Sequence, residues 1–372
     1  MGGHRRLVPD GRDWGAVVAG DCGAVVAERG LFMSVSITSP GLSFRCAPWT
    51  RAQDADPVGS ALTCDTLVLI EVPPPWPRDI GEIPAFAGLQ RRGLRRTRLL
   101  AVRPQAEDAV GTGTGTGTGD DGDAGPAGGP RGPRAGRGVR VTIWRRADSG
   151  LLAGTDHVAA SENLAEGVAA LLEAPHADAG SRPAPAEVLL CGHGTRDGCC
   201  GSLGTRLALG VAGAWPGVRV RRCSHTGGHR FAPTGFTLPD GRAWGFLDAA
   251  VLDAIVRRSG PPPLRGHYRG STALDAWGQV AERELFERFG WAWLDQPITS
   301  ARTEVAPGGR SATVDLTWRG PSGPAAATAT IDIRRDVPVL VCGQPPERAE
   351  KTAPELALRS ITVGATGHPP RS

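Results

Sequence analysis

The spacing of hydrophobic and polar residues along the chain predicts a mixed α/β fold. Short apolar runs with β-branched residues predict buried strands, and apolar residues three and four positions apart predict helices. Residues 66–102 and 139–173 give strand, helix, strand, strand and helix, and residues 188–258 give strand, helix, strand, hairpin and helix. A helical crossover allows the first two strands of each unit to lie parallel, and the later strands then complete the sheet.

These units define the predicted domains. The β-α-β-β-β-α order within residues 183–260 is typical of a thioredoxin-like sandwich. Residues 45–175 have a comparable order and are predicted to form a degenerate thioredoxin-like domain. The amphipathic pattern of Ser271–Phe289 and four later strand-like stretches predict a small α+β module over residues 267–345. The expected fold class is therefore α/β (α+β), with these three parts in succession.

Three segments lack the pattern of a helix or strand. Residues 104–136 are rich in Gly, Pro, Thr and Asp, and such a composition buries too little apolar surface to offset the entropy of ordering. A disordered insertion is therefore expected within the first domain. Residues 1–44 and 346–372 are expected to be a flexible extension and a flexible tail. Both Met1 and Met33 stay open as the start of translation.

Composition excludes few functions. The formal net charge is +4, and Lys351 is the only lysine among 42 basic residues. No basic run is interleaved with aromatic residues, so nucleic acid is not an expected partner. No apolar run reaches the roughly 20 residues of a membrane helix, and acidic residues interrupt any signal-peptide core near the N-terminus. A cytoplasmic protein with reduced thiols and no membrane partner is expected.

The candidate chemistry lies between Glu187 and Phe246. Cys191 and Cys200 have eight residues between them, and His225 and His229 have three. Two thiolates and two imidazoles on two predicted loops form a four-ligand set for a metal ion or an iron–sulfur cluster. The histidine spacing suits zinc, but the cysteine spacing is long for a zinc knuckle. Spacing alone therefore leaves zinc and a [2Fe-2S] cluster open, beside the simpler interpretation of buried thiols and hydrogen-bonded imidazoles.

Two motifs resemble the sucrase/ferredoxin-like family: CGHGTRDGCC at 191–200 and HTGGHRFAPTGFTLPDGRAWG at 225–245. The segment RCAPWTRAQDADPVGSALTCDTLVLIEVPPPW resembles the entry segment of the same family. The resemblance covers about residues 45–260 and implies a thioredoxin-like ferredoxin. It implies a [2Fe-2S] cluster bound by Cys191, Cys200, His225 and His229. It favours Cys200 over the adjacent Cys199, which stays a competing ligand.

Other residues of the two loops are expected to surround the cluster. A direct ligand role for His193 would crowd its loop, so its imidazole is expected to hydrogen-bond there, as are Arg196 and Asp197. Gly227 and Gly228 allow the backbone to approach the cluster and to offer amide donors.

The predicted function is one-electron transfer by a redox carrier with Rieske-like Cys2His2 ligation. Its reductase and electron acceptor are not identified by the sequence. A zinc-stabilised binding module using the same four residues is one alternative. A thiol-based thioredoxin-like oxidoreductase is another, although the chain has no C-x-x-C motif. No catalytic residue is assigned, and since no carboxylate pair indicates glycoside hydrolysis, a sucrase is not expected.

Overall fold

The structure, a computed structural model, describes residues 44–105, 138–174 and 181–365. These residues fall within the compact unit Ser43–Ser372. Almost all of the predicted N-terminal extension and of the predicted insertion lies outside the described residues. Within the described ranges, no helix is both long and apolar enough to span a membrane.

The helices and strands are as follows, in chain order: α1 (Cys46–Ala52), β1 (Thr66–Glu71), α2 (Pro84–Gln90), β2 (Thr97–Val102), β3 (Val139–Arg146), β4 (Leu152–Ala159), α3 (Leu164–Glu173), β5 (Arg182–Pro183), β6 (Ala186–Cys191), α4 (Thr205–Gly210), β7 (Val218–Cys223), β8 (Gly235–Leu238), β9 (Arg242–Trp244), α5 (Ala249–Arg257), β10 (Tyr268–Ser271), α6 (Ala276–Phe289), β11 (Ile298–Val305), β12 (Ser311–Gly320), β13 (Gly323–Pro338) and β14 (Thr352–Ala365). The mixed α/β fold class is thus confirmed.

The first half of the sheet, residues 66–159, has the strand order β2-β1-β3-β4. Strand β1 is parallel to β2 and antiparallel to β3, and β3 is antiparallel to β4. Successive side chains of a strand point to opposite faces. Val68 and Ile70 accordingly pack in one core with Phe86 of α2 and Val168 of α3. Leu67 and Leu69 point to the opposite face and join a different core, which also includes residues of the second half of the sheet.

The second half, residues 186–244, repeats this arrangement as β7-β6-β8-β9. Strand β6 is parallel to β7 and antiparallel to β8, which forms a hairpin with β9. The predicted parallel pair and the predicted hairpin are both present. The thioredoxin-like nature of either half, and an origin of the first half by duplication, stay predictions.

The two halves belong to one ten-stranded sheet, because β2 pairs with β7 at Val102 and Cys223. They also share a buried core: Leu67, Leu69 and Leu100 of the first half cluster with Leu189, Phe236 and Leu238 of the second. The division at residues 175–183 into two domains therefore stays a prediction. It can be tested with a fragment that lacks one side of the shared core.

The C-terminal part begins with β10, which pairs with β9 at the edge of the large sheet. The helix predicted from residue 271 begins at Ala276, because Asp275 caps its first turn by accepting the N–H of Gly278 (2.8 Å). Glu282 of α6 connects this helix to β9 and β10. Its fully buried carboxylate accepts hydrogen bonds from Arg242 of β9, Tyr268 of β10 and Trp293.

Strands β11 to β14 form an antiparallel four-stranded sheet in chain order. The predicted flexible tail at 346–372 is wrong for residues 352–365, which form β14 along the edge of β13. Two buried side chains hold this strand. Glu355 accepts from the guanidinium of Arg335 (3.0 Å), and Leu356 joins the core around α6. Residues 366–372 lie outside the described part of the chain.

Candidate metal site

Both predicted ligand loops begin at the same edge of the sheet. Cys191 ends β6 and Cys223 ends β7, and the two residues are paired in the parallel register. The carboxyl ends of neighbouring parallel strands lie side by side, so the loops that follow them meet. The first loop carries residues 192–199, and the second carries residues 224–230.

Three of the four predicted ligands converge at this edge. The ligand atoms of Cys191, Cys200 and His225 all lie within 4.8 Å of one another. Both cysteines are fully buried, whereas His225 is half-buried. The Nδ1 atom of His225 is buried and has no hydrogen-bond partner among the described residues. Buried polar atoms are normally satisfied, so an unpartnered imidazole nitrogen beside two thiols fits a metal ligand.

The two cysteines are not equivalent. A hydrogen bond between the Cys200 and Cys191 thiols lowers the pKa of Cys191 and raises that of Cys200. Burial raises the pKa of both thiols, and His225 offsets this effect at Cys191. The hydrogen bond and His225 thus favour ionisation of Cys191 over that of Cys200.

His229 lies beside this group and is not a member of it. Its ring centroid is 5.9 Å from that of His225. Its Nδ1 atom lies 3.4 Å from Oδ2 of Asp197 and 3.8 Å from Sγ of Cys46. The predicted four-ligand assignment therefore stays a prediction, with three ligands together and the fourth adjacent.

His193 connects the ligand loops to the first half of the sheet. The imidazole is 1% exposed, its Nδ1 accepts the backbone N–H of His225 (3.1 Å), and its Nε2–H donates to the Pro77 carbonyl (2.8 Å). These two bonds define a neutral tautomer, and burial lowers the pKa of His193 in agreement with it. The imidazole thus bonds outside its own loop, where the sequence had suggested bonds within it.

The remaining predicted neighbours divide into two sets. Arg196 is exposed, while Asp197 and Cys199 turn inward to a different group of donors. Gly227 and Gly228 have φ angles of 81° and 63°, which favour glycine. A Cβ at Gly228 would lie 2.5 Å from the buried guanidinium of Arg269, so space as well as conformation requires glycine there.

Two arginines that were not predicted from the sequence hold the second ligand loop: Arg98, which is half-buried, and Arg269, which is buried. Arg98 of β2 donates to the carbonyl of His225 (2.5 Å), and Arg269 of β10 donates to that of Gly227 (3.1 Å). Burial lowers the pKa of Arg269 to about 10, an effect that the nearby Cys200 and Cys191 oppose. Both arginines lie in polar or strand-like sequence, and no local pattern distinguishes them from the other arginines of the chain.

Cys46 and Cys342 were also not predicted as site residues. Together with Asp197 and Cys199 they form a second group whose ligand atoms lie within 4.8 Å of one another. Hydrogen bonds to Cys199 and Cys342 raise the pKa of the Cys46 thiol, and burial and the Asp197 carboxylate raise it further. Cys46 is 151 residues from Asp197 in sequence, so only the fold brings them together.

Comparison with known proteins finds a family similarity over the middle of the chain. Residues 140–270 match the Suc_Fer-like model, described as sucrase/ferredoxin-like. No curated protein and no solved structure matched the chain. The matched segment includes the candidate ligands Cys191, Cys200, His225 and His229, and it excludes Cys46 and Cys342. The resemblance seen in the two loop motifs is therefore confirmed: over residues 140–270 the chain is similar to the sucrase/ferredoxin-like family.

Proposed function

We propose that the chain binds a [2Fe-2S] cluster through Cys191, Cys200, His225 and His229 and serves as a one-electron carrier. The convergence of Cys191, Cys200 and the unpartnered Nδ1 of His225 is the observation that carries this proposal. Two soft thiolates and imidazole nitrogen suit iron in a Rieske-like ligand set. When bound, such a cluster supplies one-electron redox chemistry, at potentials of roughly −150 to +300 mV.

The chain's own residues give the site two unlike sides. The thiols of Cys191 and Cys200 are sealed from water, so their side of the site is insulated. His225 lines an open cleft of about 420 Å³ together with Arg78, Arg98 and Arg196. A reductase or an electron acceptor therefore approaches most closely on the imidazole side, where positive side chains favour an acidic partner surface.

The test is the visible and EPR spectrum of the aerobically purified chain. A [2Fe-2S] protein is red-brown and gives an EPR signal after reduction, and Cys200→Ala should abolish both. Cys64→Ala is the matched control, because Cys64 is equally buried and belongs to neither group of donors. A colourless protein whose zinc is lost with Cys200→Ala would support the zinc-stabilised module instead.

The histidines are tested separately. His225→Cys should retain a cluster and lower its reduction potential by on the order of 100 mV or more, toward the all-cysteine value of about −400 mV. His229→Cys decides the fourth ligand, since His229 lies outside the group of three. An unchanged spectrum and potential in His229→Cys would remove His229 from the ligand set.

A further inference from the structure

The second group of donors comes from three distant parts of the chain. Cys46 begins α1, Asp197 and Cys199 lie in the loop after β6, and Cys342 follows β13. Cys46 and Cys199 are buried, and Cys342 is half-buried. This group includes none of the three converging residues of the proposed cluster site, although Cys199 and Cys200 are neighbours in sequence.

The sulfur atoms are separated as the ligands of one metal ion are. Sγ of Cys342 lies 3.3 Å from that of Cys199 and 3.6 Å from that of Cys46. Four ligands about 2.3 Å from a tetrahedral zinc ion are about 3.8 Å apart along each edge. A disulfide would require about 2.05 Å. The three thiols thus stand near the spacing of a tetrahedral thiolate site and well beyond that of a disulfide.

Asp197 fixes the arrangement. Its side chain is fully buried, and its carboxylate accepts the backbone N–H groups of Cys199 (2.9 Å) and Cys342 (3.2 Å). The Cys342 and Cys46 thiols lie 3.4 and 3.5 Å from the same carboxylate. The carboxylate thus contacts two of the three thiols directly and holds the backbone of the third residue, Cys199.

Among the described residues, no arginine or lysine forms an ion pair with Asp197. In the described part of the chain, His229 is the only basic side chain within ion-pairing distance of Asp197. Backbone N–H groups stabilise the buried carboxylate, but they bring no formal positive charge for it or for the thiols to pair with. A divalent ion bound by thiolates would supply that charge, and a thiolate-rich tetrahedral set favours zinc over magnesium or calcium.

We propose that Cys46, Cys199, Cys342 and Asp197 form a second metal site, which binds one Zn²⁺ ion. The ion joins α1, the first ligand loop and the segment after β13, and so ties two distant parts of the chain to the loop that precedes Cys200. The vicinal cysteines serve different sites: Cys199 binds zinc, and Cys200 belongs to the proposed cluster.

Metal analysis of the full chain, expressed with iron and zinc, tests the proposal. One zinc per chain is expected in the wild type. Cys342→Ala should lose the zinc and keep any iron–sulfur spectrum, and Cys200→Ala should do the reverse. Cys64→Ala should change neither. The two proposals can fail independently. A colourless protein whose zinc is lost with Cys342→Ala would overturn only the cluster, and a coloured protein without zinc would overturn only the second site.

Cobalt binding provides a second, spectroscopic measurement. Co²⁺ added to the chelator-treated chain should produce thiolate-to-cobalt charge-transfer absorption, which stoichiometric Zn²⁺ removes. The same absorption in Cys342→Ala and Cys46→Ala would overturn the assignment. So would a Cys199–Cys342 disulfide found by mass mapping under non-reducing conditions, since it would show a thiol redox pair in place of a metal site.

Discussion

Replacement of His193 by phenylalanine tests how the second ligand loop is held in place. A phenyl ring fills the buried space, but the His225 N–H and the Pro77 carbonyl each lose a hydrogen bond. A buried polar group left without a partner costs about 1–3 kcal/mol. His225 and Pro77 are only half-buried, so water offsets part of each loss. We expect unfolding to become easier by roughly 2–3 kcal/mol in total.

The same change should also weaken the metal site, since lost support of a ligand costs about 10–100-fold in metal affinity. Substitution of His193 by asparagine or glutamine tests its two hydrogen bonds separately. The amide oxygen of His193→Asn can still accept from His225, whereas the amide nitrogen of His193→Gln can still donate to Pro77. Metal retention should therefore follow the order His, Asn, Gln, Phe.

The assay is urea unfolding of the full chain together with its iron and zinc content. His267→Phe is the control, because His267 makes a hydrogen bond to the Gly245 carbonyl (3.1 Å) away from the ligand loops. Equal loss of metal in His193→Asn and His193→Phe would refute the role of the bond to His225. Unchanged stability in His193→Phe would refute the energetic reasoning as well.

Three further predictions concern stability. Glu282→Gln should destabilise the fold by about 3–5 kcal/mol, because it removes a buried charge that pairs with a buried arginine. Thermal unfolding measures this loss. The control is Glu284→Gln, at a surface ion pair, which should cost at most about 1 kcal/mol. Gly228→Ala should lower the free energy of unfolding more than Gly213→Ala, since both positions have a positive φ but only a Cβ at residue 228 would meet a buried guanidinium. Equal effects on urea unfolding would exclude the steric contribution. The lowered pKa of His193 means that the folded chain binds fewer protons there than the unfolded chain, so the free energy of unfolding should fall as pH drops below about 6.5. That fall should be smaller in His193→Phe, and an identical pH profile would contradict the prediction.

The strands that carry the site could be predicted because their apolar residues are adjacent in sequence. Leu67–Ile70 and Val188–Leu190 are continuous apolar runs, and the structure buries each of them in a central strand. The ligand motifs follow such a strand directly, so their position at the edge of the sheet also follows from the local sequence. These features depend on residues within about ten positions of one another.

Features that depend on distant partners were not predictable in this way. Strand β4 contains Asp156, which is satisfied by Thr142 (2.6 Å) and Arg219 (2.8 Å) from other strands. A hydrophobic pattern gives no sign of such a strand. Strand β14 likewise depends on the edge of β13, and the pairing of Cys199 with Cys342 spans 143 residues. Local sequence shows each cysteine singly, and their convergence is a property of the fold.

The first half of the sheet supports the candidate site although it provides none of the four predicted ligands. The backbone N–H of Ser224, the residue before His225, donates to the carbonyl of Ala101 in β2 (2.7 Å). The hydroxyl of Thr195 in the first ligand loop donates to the Trp76 carbonyl (2.6 Å). The two ligand loops are thus attached to β2 and to the loop after β1. If the second half were produced without the first, these contacts and the hydrogen bond from His193 to Pro77 would be lost.

A fragment limited to residues 183–260 is therefore expected to fold poorly. Leu189, Phe236 and Leu238 would lose their partners in the shared core. Full burial of such a side chain contributes about 1.5–3 kcal/mol. Loss of even half of this for three residues removes roughly 2–4.5 kcal/mol of a total stability of about 5–15 kcal/mol. The absence of β10 and α6 adds to this loss. Circular dichroism and urea unfolding of the fragment, beside those of the full chain, measure the difference. Cooperative unfolding with the iron–sulfur spectrum intact would show an independent domain and would contradict a structural need for the first half.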